Sequence, residues 1–197
     1  MAQHVDSNGI KALSVVSYDK IRGKLKTGDL FFASGDYLVS KLIQHATDSP
    51  WSHVGIIVKI DAIDRILLLE SVEDMGVRIA PLSKYLHDYE GGKPYKGRIV
   101  TARHKELTAS VVTEISSFGM DELTQPYDKA EITNILARIS LGIGRKKNAR
   151  NREYICSELV YECFSHAGKT LNVNPKGFVS PQDLWLDEKV SLMDRIL

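Results

Sequence analysis

Two short runs constrain this chain more than any other feature. His53-Val-Gly-Ile-Ile-Val-Lys-Ile60 and Arg65-Ile-Leu-Leu-Leu-Glu-Ser-Val72 are rich in β-formers and are separated only by the polar break Asp61–Asp64. Such spacing predicts a hairpin. Both runs are apolar on both faces over much of their length, so they belong in a covered sheet. If Asp61–Asp64 form the loop and Ile60 faces Arg65, the numbers of facing residues sum to 125. His53 then faces Val72, and Gly55 faces Glu70. Side chains alternate across a sheet, so His53, Gly55, Glu70 and Val72 share one face. Glu70 becomes the diagonal neighbour of His53, and the missing side chain of Gly55 is expected to leave room for their contact. An even sum would place Glu70 on the opposite face.

The rest of the chain reads as a mixed α+β protein with an antiparallel sheet packed against helices. Residues 1–17 read as a loosely held lead-in. Gly28-Asp29 marks a turn before a short strand, Leu30–Ala33. A helix follows over Asp36–Ala46, with Leu38, Val39, Leu42, Ile43 and Ala46 on one face. Further strands are expected at Gly76–Ala80 and Gly97–Ala102, with a helix from Pro81 to about Tyr89 between them. Glu106–Phe118, Ala130–Leu141, a helix starting at Cys156 and a short one after Pro181 complete the pattern. With 197 residues, 43% of them hydrophobic, the chain is long enough for one domain with a sizeable core over 1–197. A formal charge of +1 gives no field suited to nucleic acid. No secretory signal and no apolar run long enough to span a bilayer is visible, so a cytoplasmic location is expected.

The two cysteines, Cys156 and Cys163, lie on one amphipathic segment that Gly168 ends. Seven helical residues separate their Cα atoms by ~10 Å, beyond the ~7 Å limit for a disulfide. Two free thiols fit a reducing compartment. Cys163, two turns in, reads as a small buried hydrophobe. Cys156, at the first turn, meets the positive end of the helix dipole, which favours a thiolate. A carboxylate inside Leu67-Leu68-Leu69-Glu70 is costly unless paired, and His53 is its nearest candidate by register. Alone, His53 would read as a structural histidine and Glu70 as the partner of a structural Arg or Lys. Together, a thiol, an imidazole and a carboxylate are the parts of a cysteine nucleophile with its base and orienting group. Zinc is disfavoured, because no close pair of Cys or His ligands occurs. No cofactor is called for. Trp51, Ser52 and Tyr127 are candidate pocket residues, although Tyr127 also reads as a loop aromatic packed beneath a helix.

At these residues the chain resembles the circularly permuted papain-like cysteine hydrolases of the NlpC superfamily, in their YiiX/YaeF-like branch. The pieces that carry the resemblance are Lys26-Thr-Gly-Asp-Leu-Phe-Phe32, Ser52-His-Val-Gly-Ile56, Leu69-Glu-Ser71, Tyr154-Ile-Cys-Ser-Glu-Leu-Val160 and Val179-Ser-Pro-Gln-Asp-Leu184. They span roughly residues 20–187, with 103–153 matched least well. The resemblance implies a permuted papain-like fold in which the sheet and His precede the Cys-bearing helix. It implies Cys156 as nucleophile, His53 as base and Glu70 as the group orienting the imidazole. It also implies cleavage of an amide or ester bond in a small-molecule, peptide, cell-wall-derived or lipid acyl substrate. A catalytically inactive lipid- or peptide-binding module on the same fold is the alternative. The basic segment around 145–152 reads either as a solvated loop or as a weak contact with an anionic membrane surface or substrate.

Overall fold

The computed structural model describes residues 7–129, 152–173 and 178–197. Six antiparallel strands form its centre: β1 (Leu30–Gly35), β2 (His53–Ile60), β3 (Arg65–Val72), β4 (Gly76–Pro81), β5 (Gly97–His104) and β6 (Val190–Arg195). Their order across the sheet is β4-β3-β2-β1-β5-β6. The helices are α1 (Ser7–Ala12), α2 (Tyr18–Ile21), α3 (Leu38–Ala46), α4 (Leu82–His87), α5 (Ala109–Asp121), α6 (Cys156–His166) and α7 (Pro181–Trp185). The expected helix over 130–141 and residues 142–151 of the basic segment lie outside the described residues.

Strict alternation builds two cores from one sheet. Phe32, Val54, Ile56, Val58, Leu69 and Val100 point to one face, where Ile115 of α5 and Leu159, Val160, Cys163 and Phe164 of α6 cover them. Phe31, Ala33, Ile57, Ile66, Leu68 and Ile99 point to the other, beneath Ile21, Leu82, Tyr85 and Tyr95. This double covering is why β2 and β3 read as continuous apolar runs. The β2–β3 ladder pairs Ile56 with Leu69 through to Ile60 with Arg65, so the register sum is 125. The break between them is a 3₁₀ turn, Asp61–Ile63, closed by Asp64 in the left-handed region at φ 48°.

Three expectations are corrected. The space over Gly55 is not left for His53 and Glu70. A Cβ there would sit 2.8 Å from Leu68 Cδ1 and 2.9 Å from the Leu69 carbonyl oxygen, so glycine is needed for the close approach of β3. Residues 7–16 are not a loose lead-in. Ile10 is fully buried in the α6-side core, and Val15 bridges to Arg195 of β6. The Arg195 guanidinium gathers the carbonyls of Ile10, Lys11 and Leu13 at 3.0–3.4 Å. No sequence signal marks β6, whose residues are mostly half-buried at the sheet edge and carry no long apolar run. Finally, α3 turns Leu38, 78% exposed, and Leu42 toward solvent, against the expectation of a buried apolar stripe.

The tight approach at Gly55 makes Gly55→Ala costly. Overpacking against backbone is expected to destabilise the protein by about 1–3 kcal/mol, read as a lower urea midpoint with an unchanged slope.

Candidate active site

β2 begins at His53, and its face alternation sends that side chain to the α4 side of the sheet, as β3 does for Glu70. The two meet as the register requires: His53 Nε2 lies 2.6 Å from Glu70 Oε2. Glu70 is 0% exposed, which an isolated carboxylate would not tolerate. It is held by more partners than the sequence reading foresaw. Arg78, directly opposite on β4, donates from Nε and Nη2 to Oε1, both at 2.9 Å. The Tyr85 hydroxyl on α4 donates to Oε2 at 2.6 Å. The cross-strand position of Arg78 was within reach of a register argument extended to β4. Tyr85 had no signal in the sequence, because its contact depends on how α4 packs against the sheet.

Cys156 is placed from the other face. The chain reaches it through Arg152, which donates to Glu122 Oε1 and Oε2 at 2.9 and 3.2 Å, and through Tyr154, whose hydroxyl donates to the same carboxylate at 3.0 Å. Ser71, the residue after Glu70, donates from Oγ to the Tyr154 carbonyl at 2.6 Å. Adjacent residues of β3 therefore hold the two halves of the site: Glu70 fixes the imidazole, and Ser71 fixes the entry to α6. Glu158 caps that entry by accepting from Ile155 N at 3.3 Å. Cys156 then starts α6, close enough to the His53 ring for its charge to raise the imidazole pKa. With Nε2 committed to Glu70, Nδ1 is the ring nitrogen left for the thiol.

The electrostatics follow from these contacts. Burial opposes a charge on His53, but the hydrogen bonds to Cys156 and Glu70 and their negative charge outweigh it and push the pKa up to about 10. Burial likewise opposes the Glu70 charge, yet His53, Arg78 and Tyr85 hold its pKa below the usual carboxylate value. An imidazolium beside a carboxylate is the state this geometry favours. Burial pushes the Cys163 thiol far up; it lies in the α5–α6 seam, 3.2 Å from where a Cβ on Gly119 would sit.

The remaining candidates separate. Trp51 is fully buried against Phe32 and Trp185, ring centroids 5.6 and 5.0 Å away, and so is a core residue rather than a pocket wall. Ser52 is also buried; its Oγ accepts from Gly35 N at 3.1 Å and ties β2 to the end of β1. Tyr127 packs on Ile155 and Phe178, and is near enough to Cys156 for the thiolate charge to raise its pKa alongside burial. Among the described residues no group of three or more His, Cys, Asp or Glu is arranged to hold a metal ion. The Lys26–Phe32 segment lies at the opposite end of β1 from His53. There Asp29, fully buried, accepts from Arg103 Nε and Nη2 at 2.6 and 2.7 Å and from Lys26 N at 2.8 Å. Its role is to build the turn into β1.

Comparison with known proteins identifies the family. The family model described as "Permuted papain-like amidase enzyme, YaeF/YiiX, C92 family" matches residues 24–190. The chain belongs to that family, and the membership carries cysteine amidase or peptidase chemistry. Among solved structures, the metalloprotein yiiX from Escherichia coli O157:H7 is similar, with a TM-score of 0.63 and 21% identity over 85% of this chain and 96% of that one. At that identity the likeness concerns the fold. No curated protein matches. No helix among the described residues is long and apolar enough to cross a membrane.

The raised His53 pKa has a signed consequence for stability. The folded protein holds a proton that the unfolded chain releases near pH 6.5, so stability falls as pH rises from about 6.5 through about 10. Denaturant titrations across this window are expected to show that slope in the parent protein and a flatter one in His53→Gln.

Proposed function

We propose that Cys156, His53 and Glu70 form the catalytic set of a cysteine hydrolase that cleaves an amide or ester bond through a thioester. The observation that carries the reading is the His53 ring, bonded through Nε2 to a buried carboxylate and close to the thiol at the start of α6. Such a ring draws the proton from Cys156 and keeps it as an imidazolium beside the thiolate. The thiolate attacks the substrate carbonyl, and the oxygen takes up negative charge. N–H groups of the first turn of α6, aligned with its dipole, stabilise that charge. His53 then returns its proton to the leaving amine or alcohol, and the thioester passes to water or another acceptor. Glu70 holds the tautomer and supports the imidazolium throughout, without itself taking the proton. The acyl group comes from a small-molecule, peptide or lipid substrate, and Tyr127 stands beside the thiol to meet it. Cys163, sealed in the helix seam, takes no part.

A thiol-directed acyl probe tests this. Labelling is expected at Cys156, abolished by Cys156→Ala, retained by Cys163→Ala and slowed roughly 10²–10⁴-fold by His53→Ala. Equal labelling of both thiols, or labelling of Cys156 that ignores His53, would contradict catalysis and leave an inactive binding module on the same fold.

A further inference from the structure

Tyr85 is the residue of this site that the reaction does not obviously need. Its ring is 1% exposed and wedged among Phe31, Tyr89 and Tyr95, with centroids 5.1, 4.7 and 5.6 Å away. The hydroxyl therefore has no room to swing. A phenolic oxygen has two acceptor positions and one hydrogen. That one hydrogen is directed at Glu70 Oε2, 2.6 Å away.

That oxygen is the one that meets His53, and both contacts are 2.6 Å. Two donors thus share one carboxylate oxygen. Each weakens the pull of that oxygen on the other's proton, since hydrogen bonds to an anion compete for the same charge. Arg78 acts on Oε1 and leaves Oε2 to this competition. Tyr85 and His53 thus converge on one oxygen of Glu70 while Arg78 takes the other.

We infer that Tyr85 is a positioning residue that acts through Glu70: its hydroxyl fixes the carboxylate oxygen facing His53 and limits how tightly that oxygen holds the imidazolium proton. This rests on the proposed role of His53 as base. Without the hydroxyl, Oε2 answers to His53 alone, so the imidazolium is held more tightly and gives its proton up at higher pH. Aim is lost at the same time, because apart from His53 itself only Arg78, through Oε1, then anchors the carboxylate.

The test needs no knowledge of the substrate. Iodoacetate is an anion, so its reaction with Cys156 is fastest while the neighbouring imidazolium keeps its charge. The rate, read by mass from the Cys156 peptide, is expected to follow a bell against pH whose alkaline limb reports His53. Tyr85→Phe keeps the ring and removes only the hydroxyl. It is expected to move the alkaline limb up by roughly 0.5–1 pH unit and to lower the maximum several-fold. Glu70→Gln should move the limb down. Leu82→Ala, a core change on the same helix, should lower stability and leave the limb in place. An alkaline limb in Tyr85→Phe that coincides with the parent's, or one that Leu82→Ala moves equally, overturns the inference and makes Tyr85 a packing residue. A parent protein with no alkaline limb would instead overturn the role of His53 itself, and the inference with it.

Discussion

A carboxylate with no solvent contact sits inside the third strand of this sheet, and its neighbours are arranged around it. An isolated carboxylate in that position would be neutralised or would destabilise the fold by several kcal/mol. Glu70 stays charged because Arg78, Tyr85 and His53 each direct a donor at it. Those donors come from β4, α4 and β2, so the carboxylate ties α4 to the two strands that flank β3. Removing one partner exposes the cost of the others, which makes this a specifying contact as well as a stabilising one.

The same strand solves a second problem. A cysteine hydrolase needs its thiol and its imidazole on different elements yet within a hydrogen bond of each other. Alternation along β3 sends Glu70 to one face and Ser71 to the other. Glu70 holds His53, while Ser71 holds the Tyr154 carbonyl two residues before Cys156. The site thus forms where the two faces meet at the end of the sheet. Chain order is irrelevant to this geometry, which is how a late cysteine meets an early histidine in a permuted papain-like amidase.

Much of this was legible in the sequence because it depends on short-range periodicity. The hairpin register followed from one loop and the period of two, and it placed Glu70 beside His53 correctly. Helical spacing separated Cys156 from Cys163. What failed depended on distant packing. Trp51 precedes His53 in the chain, yet it is drawn into a cluster with Trp185, 134 positions later. Tyr85 and Ile10 have ordinary local surroundings, and only the tertiary fold brings them to the carboxylate and the core. Leu38 and Leu42 carry a helical apolar pattern, yet α3 turns both toward solvent.

The central claim is that His53 is held as an imidazolium between Glu70 and Cys156. Nitrogen NMR of the ring in ¹⁵N-histidine-labelled protein reads this directly. The account predicts that both ring nitrogens of His53 carry protons at pH 8 and that the ring titrates near 10. A ring already neutral at pH 8, titrating near the ordinary histidine value of about 6.5, would contradict it.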